Sequence, residues 1–403
     1  MPSDKWKISR SLLLNDTPEL RLLVCLARTT LDSASSRAAG DLMRGRLDWN
    51  RFLALAWRHW VMPLVCSHLI NSFAELVPDK HLQKVHEDFQ HNTARNLLFA
   101  TELGRVLEDF DEQGIPAIAY KGPALALQVY GDLKLRSFVD LDLLVRRVDT
   151  MRAGSVLIAR GYRPHLDLSP TQESLLSRSE CDRVYLREGR NILLELHWAV
   201  APPFFAVGLE TEAVLADCAR AELCGREVGV PSPEMLLLLL CVNGTKGLWS
   251  VLEPVCSVNE LVRRYPGLDW GRIITLGRRA GALRMLHVGL LLAHQIFDLP
   301  LPEKILVSID TDRPANNLVG EARKRLSENE MRVPGLVEKT RFRVRSRERG
   351  RDKLRYFLLR LLTPTYKDCS PELPNSLSFL YYGLRPLRLL REGLKRLADR
   401  PVV

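Results

Sequence analysis

At 403 residues the chain is long enough for two or three domains, and 46% hydrophobic with 26% charged residues is the composition of a globular protein with a real core, which excludes a disordered chain. The formal charge of +10 is uneven: residues 334–403 hold 17 Lys/Arg and 7 Asp/Glu, an excess equal to that of the whole chain, so the first 333 residues are near neutral. A run such as "RFRVRSRERGRDKLRYFLLRLL" reads as a solvated basic helical face, and nucleic acid is not an expected partner.

Residues 1–112 form a helical region. "LRLLVCLARTTLD", "DWNRFLALAWRHWVMPLVCSHLI" and "HNTARNLLFATELGRVLEDFDEQG" carry apolar residues at helix spacing, with Asp48 as N-cap and Gly114 just past a C-terminus. In residues 113–230 the period shortens. Strands are expected at Ile115–Tyr120, Val139–Val145, Arg183–Leu186 and Ile192–Trp198, alternating with helical runs, and "REGRN" around Gly189 reads as a hairpin turn; this is an α+β core with a small sheet. Residues 231–333 return to helices, including "PSPEMLLLLLCVNGTKGLW" and "LDWGRIITLGRRAGALRMLHVGLLLAHQIF", and residues 334–403 read as a basic linker and helical tail. "LDWNRFLALAWRH" from Leu47 and "LDWGRIITLGRRA" from Leu268 echo each other as two capped helices rather than as a repeat array.

Eight cysteines lie at 25, 66, 181, 218, 224, 241, 256 and 369 without a C-x-x-C pair, which argues for reduced thiols in a cytoplasmic protein. The N-terminal stretch lacks an apolar signal core, and the longest apolar run, Met235 to Val242, is far below the ~20 residues of a membrane span, so no span is expected.

The chemistry concentrates in "RSFVDLDLLV". In a strand Asp140 and Asp142 share one face about 6.7 Å apart, with Val139, Leu141 and Leu143 turned to a core. Two carboxylates so placed repel, and two readings stand: a polar face in water, or a hard divalent cation such as Mg²⁺ between them. Upstream, Lys121-Gly122-Pro123 joins a strand to a helical run, which makes an anion site suited to a triphosphate, or simply a turn. Downstream, "NILLELHWAV" puts Glu195 and His197 on one strand face; beside the Asp140 strand, Glu195 becomes a third carboxylate. His197 either contacts a ligand, orients Glu195 or is structural, and Arg136 and Ser137 are placed to meet phosphate oxygens or a surface ion-pair partner.

The order strand, Gly turn, helix, D-x-D strand, then a strand with one further acid resembles the DNA polymerase β-like nucleotidyltransferase superfamily. More closely, "YKGPALALQVYGDLKLRSFVDLDLLV", "ARGY" and "LLELHW" resemble a bacterial family of uncharacterised nucleotidyltransferases, with flanking likeness in "DWNRFLALAWRHWVMPLV" and "DWGRIITLGRRAG". The resemblance implies a small mixed β-sheet nucleotidyltransferase core flanked by helical regions, and Mg²⁺- or Mn²⁺-dependent transfer of a nucleoside monophosphate from an NTP with release of pyrophosphate. It implies that Asp140 and Asp142 bind metal, that Glu195 is third ligand or base, and that Lys121 and Gly122 cradle phosphate; by their placement in the sequence, Arg136, Ser137 and His197 are the further candidates to contact the bound nucleotide. The acceptor is expected to be a small molecule or a peptide. Three features depart from the pattern: Pro123 replaces the usual Ser after the glycine, 17 residues separate Gly122 from Asp140, and Asn243 stands where the family has His. These departures keep open a catalytically inactive nucleotidyltransferase-like binding protein, and the same acids would also suit a metal-dependent nuclease. Lys246 and Trp249 read as a surface cation and a core aromatic.

Overall fold

The computed structural model describes residues 17–328, 332–365, 368, 373 and 377–398; Cys369 and the first sixteen residues lie outside them. Five α-helices open the described chain: α1 (Pro18–Leu26), α2 (Ser33–Arg44), α3 (Trp49–Arg58), α4 (Met62–Ser72) and α5 (Asp79–Glu112). Asp48 caps α3 by accepting the Arg51 N–H at 3.0 Å, and Gly114 follows α5 at φ 62°, a conformation that costs glycine nothing.

Then come β1 (Ala117–Ala119), the short helix α6 (Gly122–Leu125) running into a π-helical turn at Ala126–Tyr130, β2 (Asp140–Val145) and α7 (Thr150–Ala159). β3 (Tyr162–Pro164), α8 (Pro170–Ser179), β4 (Asp182–Arg187) and β5 (Ile192–His197) complete a sheet of order β1-β2-β5-β4-β3. All neighbours are antiparallel except β2 and β5, which are parallel. The fold is therefore α+β with a mixed five-stranded sheet. α9 (Thr211–Ala216) leads to a separate hairpin of β6 (Cys218–Leu223) and β7 (Arg226–Pro231). α10 (Pro233–Lys246), α11 (Glu253–Arg264), α12 (Trp270–Ala280) and α13 (Leu283–Phe297) follow, and further helices run to Ala398. Asp269 caps α12 through the Arg272 N–H at 2.9 Å, so the two "LDW" segments are the same capping device used twice.

One sheet face is dry. Leu141, Leu143, Leu194 and Leu196 are each at most 1% exposed and pack on Phe99, Leu103, Val106 and Phe110 of α5. Burying four leucines stabilises this register by roughly 6–12 kcal/mol, and a slip of one residue would exchange them with the acids. On the other face α10 covers Ile118 and Leu144 with Met235 and Leu239. Val139 departs from the expected pattern: β2 begins at Asp140, and Val139 is 45% exposed rather than core-facing, because the chain is still in the preceding loop there. Among the described residues seven cysteines are free thiols, and no helix is long and apolar enough to cross a membrane.

Candidate active site

The parallel register sets the acids. Asp140 lies opposite Leu193 and Asp142 opposite Glu195, so Asp140, Asp142, Glu195 and His197 share the sheet face away from α5. Asp142 is 2% exposed and accepts Lys121 Nζ at 2.6 Å; His197 Nε2 is 3.1 Å from Asp142 Oδ1 and 3.1 Å from Glu195 Oε2. Ligand atoms of Asp142, Glu195 and His197 all lie within 4.8 Å of one another, a spacing that can hold a metal ion. Asp140 stands outside that group, at the start of the strand, lining a cavity with Asp142.

The electrostatics of the two aspartates diverge. Burial first, then the charges of Asp142 and Glu195, push the Asp140 carboxyl up to about 6, against the pull of Lys121 and Arg136. Burial also opposes ionisation of Asp142, but Lys121 and His197 outweigh it and hold its carboxyl well below the usual range. For His197 burial lowers the pKa, while its bonds to Asp142 and Glu195 raise it above the ordinary imidazole value, and raised is the net direction. Its other nitrogen, Nδ1, is buried with no hydrogen-bond partner among the described residues.

Asp140 thus carries an expected stability effect. A carboxyl raised from 3.8 to about 6 favours its protonated form in the fold, so its contribution is full below pH 3.8 and is lost as pH rises through about 6. Without added metal, Asp140→Asn should stabilise the protein at pH 8 by about 1–3 kcal/mol and leave it unchanged at pH 4. Thermal melts at both pH values check this; a lower melting temperature at pH 8 would refute the repulsion.

The turn after β1 brings the backbone against these acids. Gly122 has φ 55°, and a Cβ there would lie 3.2 Å from the Asp140 carbonyl oxygen, so both conformation and space require glycine. Pro123 stiffens the start of α6 but offers no N–H.

Arg136 and Ser137 are held from the far side of the sequence. Arg136 Nε donates to Glu253 Oε1 of α11 at 2.8 Å, with both side chains mostly buried, while still lining the cavity. Ser137 turns its hydroxyl to Asn92 Oδ1 at 3.3 Å. Asn92 and Asn96, buried in α5, donate their amides to the Lys134, Leu133 and Arg136 carbonyls at 3.0, 2.6 and 2.7 Å and pin the loop that leads into β2. Buried amides facing otherwise orphaned carbonyls fix a loop geometry. These positions escaped the sequence reading; the signal was polar Asn at helix-core spacing in "HNTARN".

The cavity, about 280 Å³, is lined by Lys121, Gly122, Arg136, Asp140 and Asp142, and also by Trp60 and Val251. A larger one of about 530 Å³ lies between α7, α8 and β4, is mostly apolar, and contains none of the four acid-face residues. The smaller holds two of the four, Asp140 and Asp142. Residues 45–298 match the family described as uncharacterised nucleotidyltransferase. The chain belongs to that family. Among solved structures this nucleotidyltransferase-family chain is similar to the solution structure of the antibiotic-resistance factor ANT(2'')-Ia, with 16% identity, a TM-score of 0.27, and coverage of 54% of this chain and 94% of that one. No curated protein matches the chain.

Lys246 differs from a plain surface cation. It ends α10, burial lowers its pKa, and the charges it feels include Cys181, Lys121, Asp182 and Glu195; it forms no ion pair at salt-bridge distance among the described residues. Trp249 is fully buried, as a core aromatic should be, and Asn243 lies partly buried on the same helix.

Proposed function

We propose that this nucleotidyltransferase-family protein moves a nucleoside monophosphate from an NTP to an acceptor hydroxyl or amine, the acceptor being a small molecule or a peptide. The observation that carries the reading is Asp142 paired with Glu195 across β2 and β5, with Lys121 on Asp142 and the Gly122 turn against Asp140. Carboxylate oxygens are the donors a hard divalent cation requires: Asp142 and Glu195, whose ligand atoms already lie within 4.8 Å of each other, fit Mg²⁺ or Mn²⁺, and Asp140, on the same sheet face but outside that group, would join them from the cavity wall. When bound, such an ion stabilises charge on the phosphate and activates the attacking oxygen.

The chain's own residues do the rest. Lys121 and the backbone at Gly122 hold phosphate oxygens, and Arg136, held in place by Glu253, adds a second cation to that wall. Glu195, with 30% of its side chain exposed, is the acid open enough to take the acceptor's proton, while buried His197 orients it. The acceptor oxygen or nitrogen forms a bond to the α-phosphorus as the bond to the pyrophosphate oxygen breaks, and pyrophosphate leaves with the electron pair.

The test uses the full chain with Mg²⁺ or Mn²⁺, each α-labelled NTP and a cell extract as acceptor source. Acceptor-linked label together with released pyrophosphate in the wild type, and neither in Asp140→Ala/Asp142→Ala, is the expected result. Nucleotide binding without any transfer would replace this reading by a binding-only protein.

A further inference from the structure

Trp60 stands at the corner between α3 and α4, 41% exposed, and lines the small cavity together with Asp140 and Asp142. Its φ of 61° puts a bulky side chain in the left-handed region, which such residues adopt only where the surroundings over-determine the backbone. The surroundings here do so. His59, 1% exposed, accepts the Leu252 N–H on Nδ1 at 3.2 Å and the Glu253 N–H on its carbonyl at 3.1 Å, while the Trp60 and Val61 amides close the corner onto Trp57 and Ala56 carbonyls at 3.0 and 3.1 Å. Burial, then Arg58, drives His59 down to about 3, so it is a neutral acceptor throughout the working range of pH. The corner is thereby latched to the start of α11, whose Glu253 also holds Arg136.

The outcome is an indole on a rigid backbone whose ring makes no stacking or cation contact among the described residues, facing a cavity whose remaining wall is cationic and acidic. Phe138, Val139 and Val251 also line the cavity and offer no side-chain hydrogen bond, and Ser137 adds a hydroxyl. Resting on the reading of the site as an NTP site, we infer that Trp60 is the stacking platform for the nucleobase, placed so that the triphosphate runs toward Lys121 and Gly122. An indole face stacks on any base, so all four NTPs should bind, purines somewhat more tightly than pyrimidines.

Titration calorimetry with Mg²⁺ and either an α,β-methylene NTP or inorganic tripolyphosphate tests this in the wild type, Trp60→Ala, Trp60→Phe and Trp57→Ala. Trp57 is 49% exposed on α3 but does not line the cavity, and so serves as the control. Trp60→Ala should weaken the nucleotide analogue roughly 5- to 100-fold and change tripolyphosphate less than about twofold, with Trp60→Phe and Trp57→Ala close to wild type. Nucleotide binding unchanged in Trp60→Ala, or lost together with tripolyphosphate binding while the protein still melts cooperatively, overturns the platform and leaves the NTP site standing. A wild type that binds neither ligand overturns the site itself and the platform with it.

Discussion

Asp142→Asn is expected to lower nucleotidyl transfer at least ~10³-fold, because the asparagine carries no charge with which to hold a cation worth several kcal/mol of transition-state stabilisation. It is also expected to destabilise the protein, with the opposite sign to Asp140→Asn. Asp142 is held below its ordinary 3.8 despite burial, so its ionised form contributes stability that is present above pH 3.8 and disappears as pH falls through the lowered value. Removing it at pH 7 leaves the Lys121 ammonium and buried His197 facing an amide, and breaking a buried ion pair from one side costs about 3–5 kcal/mol. Repulsion from Asp140 and Glu195 is relieved at the same time, but Lys121 at 2.6 Å and the His197 bond act at shorter range and win. Denaturant melts at pH 7 read the loss, and rapid-quench assays read the transfer. A variant that melts like wild type would mean that Lys121 and His197 do not depend on Asp142.

The acid strand was legible because its physics is local. Alternation in "DLDLLV" put both aspartates on one face whatever the tertiary structure, and the same rule paired Glu195 with His197. The meeting of the two strands was a conditional expectation: a parallel pair closes only through α7, β3, α8 and β4, and nothing in a window of ten residues encodes that crossover. The strand limits moved inward at β1, from Ile115–Tyr120 to Ala117–Ala119, where flanking residues pack without pairing. The β6–β7 hairpin was not read. Its faces alternate weakly, and its turn carries Cys224 and Gly225 at φ 51° and 80° in place of a familiar Asn-Gly signal. Asn92, Asn96 and Glu253 lie in helices and Trp60 at a corner between two; all were invisible as site residues because what they meet, the loop before β2 and the cavity beside it, is distant in sequence.

Lys121→Met should move two affinities in opposite directions. The ammonium lies 2.6 Å from Asp142 Oδ1, on the carboxylate proposed to hold the metal, and 5.0 Å from the Tyr120 ring centroid; burial lowers its pKa, yet Tyr120 and Asp142 raise it well above the ordinary lysine value, so it stays charged. A divalent cation entering at Asp142 competes with that ammonium. Methionine keeps the length of the side chain and removes the competitor, so Mn²⁺ alone should bind more tightly. Tripolyphosphate loses a charged donor worth about 1.5–3 kcal/mol and should bind roughly 10- to 100-fold more weakly in the presence of Mg²⁺. Calorimetry with each ligand separates the two effects, and a fall in both affinities would show that Lys121 supports Asp142 rather than competing at it. With 26% of its side chain exposed, Lys121 has room to leave the carboxylate, so one residue can serve as counter-ion before the nucleotide arrives and as phosphate ligand afterwards. On the proposed reading, that exchange gives a physical reason for a lysine immediately before Gly122: the charge that offsets Asp142 would then turn to the triphosphate.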